Sequence, residues 1–321
     1  MKDGTGRTIE YLRISLTDKC NLRCKYCMPE DGICHLSHDE ILTLEEVYRL
    51  TNIFASLGIK RVRITGGEPL VKKNICKLIS DINDIDGIEQ ISLTTNGVLL
   101  GEMLGDLTNA GIDDVNISLD TLDRDNFIDL TGKDELPKVL ESIDLAIANN
   151  LNPKINCIPM KEWNGNELLD IASLAKDKKI DVRYIELMPT KYGKEYTKID
   201  NSEVLNKLED AFGKASSIEN ETGINGPAKY YNFYGFKGRI GFISPITNNF
   251  CAECNRIRLT PTGFLKLCLH QNDGIDLKTL LRSGKSDDDI YESIKEAIKN
   301  KPKEHNMMEN SFETNMHKIG G

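Results

Sequence analysis

Tyr11-Leu12-Arg13-Ile14-Ser15-Leu16-Thr17-Asp18-Lys19-Cys20-Asn21-Leu22-Arg23-Cys24-Lys25-Tyr26-Cys27 carries a strand pattern directly into three closely spaced cysteines. Five further strand patterns follow at residues 61–65, 91–95, 114–119, 154–158 and 182–187. They are rich in β-branched residues and leucine, as buried parallel strands are. Amphipathic helical patterns lie between them, at 44–57, 73–85, 102–110, 136–149 and 166–176. Thr43 and Glu46 form a capping box at the first of these, and Gly58 marks its end. Strands alternating with helices imply βαβ units. Six units in about 180 residues are too few for a complete eight-unit barrel. An incomplete barrel and an open doubly wound sheet both remain.

The pattern changes near residue 190. A polar loop at 191–195 precedes a helix pattern at 201–212. A hairpin is expected from 230–236 and 239–243, turning at Gly235–Gly238. Helix patterns at 277–282 and 287–300 and a polar tail from Lys301 complete the chain. Two regions are therefore expected, 1–190 and 191–321.

Composition narrows the function classes. Of 321 residues, 39% are hydrophobic and 28% charged, ample for a packed core. The net charge, 41 − 50 = −9, speaks against a broad basic surface for nucleic acid or membrane. No apolar run reaches the length of a membrane span, and the first residues lack a signal-peptide core. A cytoplasmic protein is expected.

Nine cysteines in a large chain of this kind argue against a disulfide framework. Six fall into two triplets: Cys20, Cys24 and Cys27, then Cys251, Cys254 and Cys268. Thiolates suit zinc or iron–sulfur. A zinc site completed by Cys34 or His35 at the first triplet, or by His270 at the second, is one reading. At the first triplet the other is a four-iron cluster, whose three thiolates leave one iron open to a ligand. Cys76, in a helix pattern, and Cys157, in a strand, read as small buried hydrophobes.

Thr65-Gly66-Gly67-Glu68-Pro69 ends the second strand, where glycines permit close backbone approach and Glu68 can receive an ammonium group. Thr94-Thr95-Asn96-Gly97 and Asn116-Ile117-Ser118-Leu119-Asp120 end the third and fourth, where barrel active sites form. If Ile257 lies in a strand, Arg256 and Arg258 share a face and form an anion site. Arg13, Arg61, Arg63, Lys154 and Arg183 occupy strand positions too. On an acidic protein, cations at inward positions need an anionic partner, and together they favour a triphosphate.

The first triplet, with aromatic Tyr26 before its third cysteine, resembles the signature of radical S-adenosylmethionine (SAM) enzymes. The lead-in from Tyr11, Gly-Gly-Glu-Pro, Cys251-x2-Cys254-Asn255-Arg256-x-Arg258, the spacing to Cys268 and the Gly320-Gly321 end together resemble the GTP 3′,8-cyclase family, which opens molybdenum cofactor biosynthesis. Lys72-Lys73-Asn74 departs from that family's usual Arg-Arg-Asp, which leaves a capping or ion-pair detail open. The resemblance implies an incomplete (β/α)6 TIM-like barrel with a C-terminal α+β extension closing its mouth. It implies SAM and two [4Fe-4S] clusters, the second meeting the guanine of GTP. Tyr26, Gly67, Glu68, Ser118 and Met188 are implied to bind SAM. Arg13, Arg63, Thr94, Lys154, Arg256, Ile257 and Arg258 are assigned to GTP, with Arg61 and Arg183 as further candidates. In this family a 5′-deoxyadenosyl radical takes the 3′ ribose hydrogen and C3′ then joins guanine C8. Implied partners are a flavodoxin- or ferredoxin-like electron donor, a downstream cyclic pyranopterin monophosphate synthase and a second copy in a homodimer. A dual-cluster radical SAM enzyme acting on a peptide, and an iron–sulfur or zinc redox sensor, are the competing readings.

Gly320 and Gly321 are implied to reach the active site and to be needed for turnover. Deleting both should leave the fold and the iron content unchanged. Formation of the cyclised product should fall by at least about tenfold, or about 1.4 kcal/mol in the barrier. Near-normal product formation, measured anaerobically by chromatography, would show that the end has no such role.

Overall fold

The computed structural model describes residues 1–28, 35–218 and 226–305. Cys34 and the Gly320-Gly321 end lie outside the described residues. Six strands are separated by helices through the first part of the chain, one helix in each gap but two between the fourth and fifth strands: β1 (Tyr11–Ser15), α1 (Leu44–Ser56), β2 (Arg61–Thr65), α2 (Ile75–Asn83), β3 (Gln90–Thr95), α3 (Leu100–Asn109), β4 (Asp114–Ser118), α4 (Arg124–Thr131), α5 (Leu136–Ala148), β5 (Lys154–Cys157), α6 (Leu168–Asp177) and β6 (Asp181–Ile185). The strands agree with the sequence pattern to within two residues, and the Thr43/Glu46 capping box opens α1. α4 is an addition. Its sequence, RDNFIDLT, is largely polar and buries only Phe127, Leu130 and Thr131, so it carries little periodic signal.

The later elements are α7 (Asn201–Phe212), β7 (Ser216–Ser217), β8 (Lys229–Asn232), β9 (Ile240–Ile243), β10 (Arg256–Leu259), β11 (Phe264–Lys266), β12 (Gly274–Asp276), α8 (Leu277–Arg282) and α9 (Asp287–Lys299). β8 and β9 form the expected hairpin, with Tyr230 opposite Gly241. The expected polar tail from Lys301 is corrected at its start. Lys301 is buried, because its ammonium finds backbone carbonyls inside the protein.

All strands join one sheet in the order β12-β11-β10-β1-β2-β3-β4-β5-β6-β9-β8-β7. β1 to β6 are neighbours in sequence order and all parallel. Right-handed crossovers without a reversal of order keep the helices on one side, which excludes the doubly wound alternative. Accordingly α1 packs on α2, α2 on α3 and α3 on α5. The C-terminal region adds a parallel strand at each edge, β10 beside β1 and β9 beside β6.

Strand alternation sorts the side chains. Leu12, Ile14, Val62, Ile64, Leu93 and Val115 are buried against the helices. The residues between them face the other way. In register, Arg13 stands between Arg63 and Arg258, Asn116 beside Lys154, and Asn156 beside Arg183. One face of the sheet is thus an apolar core and the other a polar wall.

The β9 hairpin docks through backbone contact. Gly238 N–H donates to the Ala175 carbonyl at 2.8 Å, and a Cβ on Gly238 would stand 1.9 Å from the Ile180 carbonyl oxygen. Gly238→Ala should therefore cost about 1–3 kcal/mol, as overpacking does. Gly105→Ala, within α3 where a Cβ meets nothing within 4 Å, should instead stabilise by about 0.5–1 kcal/mol. Urea melts of the two variants measure the contrast.

Candidate active site

The polar wall lines a cavity of about 750 Å³. Every site residue expected from the sequence within the described part of the chain lines it, including all six triplet cysteines, Arg61 and Arg183. Cys76 does not line it, and Cys157 is buried among the core residues.

The two triplets lie at opposite ends of the strands. Cys20, Cys24 and Cys27 follow the C-terminal end of β1, whereas Cys251 and Cys254 precede β10, which runs parallel to it. β11 is antiparallel to β10 and returns Cys268 to the same end. A five-residue strand spans roughly 15 Å, and the cations of β1, β2 and β10 lie between.

The first cysteine loop is tied down on several sides. Arg23 and Lys25 N–H groups donate to the Thr131 and Leu130 carbonyls at the end of α4. The Arg23 guanidinium donates to the Cys20 carbonyl at 2.7 Å. Gly67 presses on the lead-in, where a Cβ would lie 2.4 Å from the Lys19 carbonyl oxygen. The backbone brought close by that glycine is thus the chain's own. Asn96 donates to Asn21 and reaches the Cys20 sulfur at 3.7 Å.

Two buried carboxyls face this end. Glu68 accepts from Leu70 N–H, Thr95 Oγ1 and Asn96 N–H at 3.0, 2.9 and 2.7 Å. Burial pushes it up to about 7, against the pull of those donors. Asp120 accepts from the Tyr26 hydroxyl at 2.7 Å and from Ile158 N–H at 2.8 Å, and burial pushes it up to about 6. Asp120 thereby fixes the Tyr26 ring.

The middle of the wall is cationic. Asp114 Oδ1 lies 3.3 Å from Arg63 Nη2 and 3.6 Å from Lys154 Nζ, while Oδ2 accepts from Ser92 and Gln90. Burial would push Asp114 up, but Arg63 and Lys154 outweigh it and hold the carboxyl below its usual range. Burial, reinforced by Arg256, pulls Arg258 down to about 10. Arg63 Nη1, Arg183 Nε and Nη2, Thr94 Oγ1, Asn116 Oδ1 and Asn156 Oδ1 are buried without a hydrogen-bond partner. Buried polar atoms are ordinarily paired, so the unpaired Arg63 and Arg183 nitrogens leave room for an anionic acceptor, and the two asparagine oxygens for a donor.

At the second triplet, burial pushes the Cys254 thiol up, but Arg256 and Lys301 outweigh it and take it down to about 7. Burial and His305 hold His270 neutral, down to about 3. Among the described residues, no group of three His, Cys, Asp or Glu side chains is arranged to hold a metal ion. A four-iron cluster makes a different demand, since each thiolate binds its own iron and the sulfurs stand wider apart than around one ion. Three thiols per triplet, opening on one cavity, fit that demand.

A protein named GTP 3′,8-cyclase from Clostridium perfringens (strain 13 / Type A) is 48% identical, with 100% of each chain covered. One of the same name from Alkaliphilus oremlandii (strain OhILAs) is 44% identical, again over 100% of each. The chain belongs to the GTP 3′,8-cyclase family. The Radical SAM superfamily model matches residues 14–175, and the Molybdenum Cofactor Synthesis C model matches residues 180–307. The crystal structure of Streptococcus suis SuiB bound to S-adenosylmethionine has a TM-score of 0.60 at 14% identity, covering 89% of this chain and 67% of that one. That likeness shows a shared fold, and the parallel α/β sheet fits a TIM-like one.

Asp114, Asn156 and Lys301 are among the residues lining the cavity that the sequence reading missed. Strand alternation carried a signal for two of them. Asn156 follows Lys154 by two positions, and Asp114 precedes Asn116 by two. Lys301 carried none, because it reaches the site from the far end of the chain.

An ammonium held by Glu68 needs the ionised carboxylate. Affinity for SAM should rise by about tenfold per pH unit below about 7 and level off above it. In the unliganded chain the sign reverses. The raised Glu68 contributes stability that is full below its unfolded value of about 4.5 and is lost as pH rises through about 7. Anaerobic equilibrium dialysis from pH 5.5 to 8.5 measures the first effect. Glu68→Gln should abolish it, and a flat wild-type profile would exclude Glu68 as the ammonium's partner.

Proposed function

We propose that the cavity carries out the reaction for which the relatives are named, converting GTP to (8S)-3′,8-cyclo-7,8-dihydroguanosine 5′-triphosphate in the first step of molybdenum cofactor biosynthesis. One observation carries this reading. Two three-cysteine sites open on a single cavity from opposite ends of the same strands, with the cationic wall between them. Cys20, Cys24 and Cys27 hold one [4Fe-4S] cluster, and Cys251, Cys254 and Cys268 hold a second. When bound, the first cluster and SAM supply a radical that takes one hydrogen atom from the substrate ribose.

The chain's own residues bind and orient. Glu68 receives the SAM ammonium. Tyr26, locked by Asp120, lies against the adenine, and Gly67, Ser118 and the backbone at Met188 complete that pocket. Arg13, Arg63, Lys154, Arg256 and Arg258 take the triphosphate, with Arg61 and Arg183 beside them. Guanidinium forks match phosphate oxygens. Thr94 and the backbone at Ile257 border the nucleoside. Gly320 and Gly321 are needed for turnover.

The six βα units of the first region, 1–190, form the incomplete barrel, and the described part of the second region, 191–321, closes its mouth. A flavodoxin- or ferredoxin-like protein supplies electrons, and a cyclic pyranopterin monophosphate synthase consumes the product. A cytoplasmic homodimer fits these partners, and no helix among the described residues is long and apolar enough to cross a membrane.

Anaerobic incubation with SAM, GTP and a strong reductant tests the reading, and absence of the 3′,8-cyclised product would overturn it. Arg256→Ala and Arg258→Ala should each weaken GTP binding by roughly 10- to 150-fold, the loss of one charge-assisted contact of about 1.5–3 kcal/mol. Iron content should not change. Unaltered GTP affinity in either variant would assign that arginine to structure.

A further inference from the structure

Residues 301–305 lie across the second cysteine triplet and reach each of its three limbs. The buried Lys301 ammonium donates to the Arg256 carbonyl at 2.9 Å and to the Leu267 carbonyl. Arg256 stands two residues after Cys254, and Leu267 one residue before Cys268. A single side chain therefore ties together the two backbone segments that carry those cysteines. The third limb is approached by the backbone of His305, whose ring lies 3.0 Å from the Pro245 carbonyl oxygen, and is held directly by Arg7, which donates to the Cys251 carbonyl.

This strap is clamped by the opposite end of the chain. A guanidinium has five N–H donors, and Arg7 places all of them. Nε donates to Asp3 at 2.7 Å. Nη1 donates to the Cys251 and Lys303 carbonyls at 2.8 and 3.0 Å. Nη2 donates to the Lys301 and Pro302 carbonyls at 3.4 and 2.7 Å. Asp3 is itself buried and also accepts from Thr5. Gly4 N–H donates to the Lys299 carbonyl, and a Cβ there would stand 2.4 Å from that oxygen.

A buried ammonium is costly unless negative charge accompanies it. Lys301 is buried, its ammonium meets only backbone carbonyls next to Cys254 and Cys268, and the guanidinium of Arg7 donates to its own carbonyl from the other side. Two neutral carbonyls do not offset that cost, but a thiolate-ligated cluster would. We propose that Lys301, clamped by Arg7, is a positioning residue that closes the second cysteine triplet around its cluster and balances that cluster's negative charge. The proposal rests on the two-cluster reading above. Residues that orient metal ligands from behind typically contribute about 10- to 100-fold in metal affinity.

The test uses the full chain, anaerobically reconstituted, as wild type, Lys301→Met, Lys301→Arg, Arg7→Lys and the exposed control Lys299→Met. Iron per chain, iron release to a chelator and the reduction potential of each cluster are measured. Wild type should hold roughly eight irons, four per cluster. In Lys301→Met about half of that iron should leave about 10- to 100-fold faster. The potential of the second cluster should move to a more negative value. The first cluster and its cleavage of SAM should be unchanged, as should every property of Lys299→Met. Lys301→Arg should restore the potential through its charge while still losing iron quickly, because the larger fork does not fit between the two carbonyls. Wild-type release and potential in Lys301→Met would overturn the proposal while leaving two clusters in place. A wild type holding only about four irons would overturn the two-cluster reading, and the proposal with it. If Lys301→Met does not fold, Arg7→Lys decides. That variant keeps the charge but loses the fork, and release at the wild-type rate would overturn the proposal.

Discussion

Positive charge held out of water on one face of a parallel sheet governs this protein. Arg63 and Arg183 are each only 8% exposed, and Lys154 stands beside them in the wall. Ammonium and guanidinium groups persist in such places only where negative charge comes to them. Asp114 supplies some of it, and its second oxygen is occupied by Ser92 and Gln90, so it cannot swing toward other cations. The triphosphate of the proposed substrate would supply the rest. The substrate of the proposed reaction thus completes the electrostatics of the fold as well as undergoing the chemistry.

The cavity is polarised along the strands. Carboxyls that burial has made weakly acidic, Glu68 and Asp120, lie at the end where the first cysteine loop enters. Guanidinium and ammonium groups hold the middle and the far end. A ligand with a cationic amino acid head and one with a triphosphate are sorted by this field before any close contact forms. Each misplaced molecule would set like charges together in a dry site, which gives discrimination by repulsion as well as attraction.

Much of this was legible in the sequence because strand alternation is local. A residue between Leu12 and Ile14, or between Val62 and Ile64, faces away from the core whatever the rest of the chain does. Arginine in that setting is conspicuous. α4 escaped notice because three buried residues in eight leave no clear period. The parallel partnership of β9 with β6 and β10 with β1 was hidden for another reason. Pairing between distant segments is settled by which edges remain open, and no residue within either strand encodes it. Lys301 is the extreme case. Read locally it opens a polar tail, and only the fold supplies the two carbonyls that make burial tolerable.

The partition of the sheet's edges between the two halves of the chain bears on its synthesis. β1 and β6 are the outer strands of the array that emerges first, and their backbone groups await β10 and β9. From the end of β6 at Ile185 to the end of β10 at Leu259 the ribosome must add 259 − 185 = 74 residues. At roughly 5–20 residues per second this takes about 4–15 s. Until β9 is made, at Ile243, the nascent chain shows two open strand edges, and from there to Leu259 one, the surface through which unfinished proteins most readily stick to one another. The first cysteine loop is already made by then, but the wall beside it is not closed. A chaperone that shields strand edges, or slow codons placed to avoid crowding, would protect the metal site and the fold through the same few seconds.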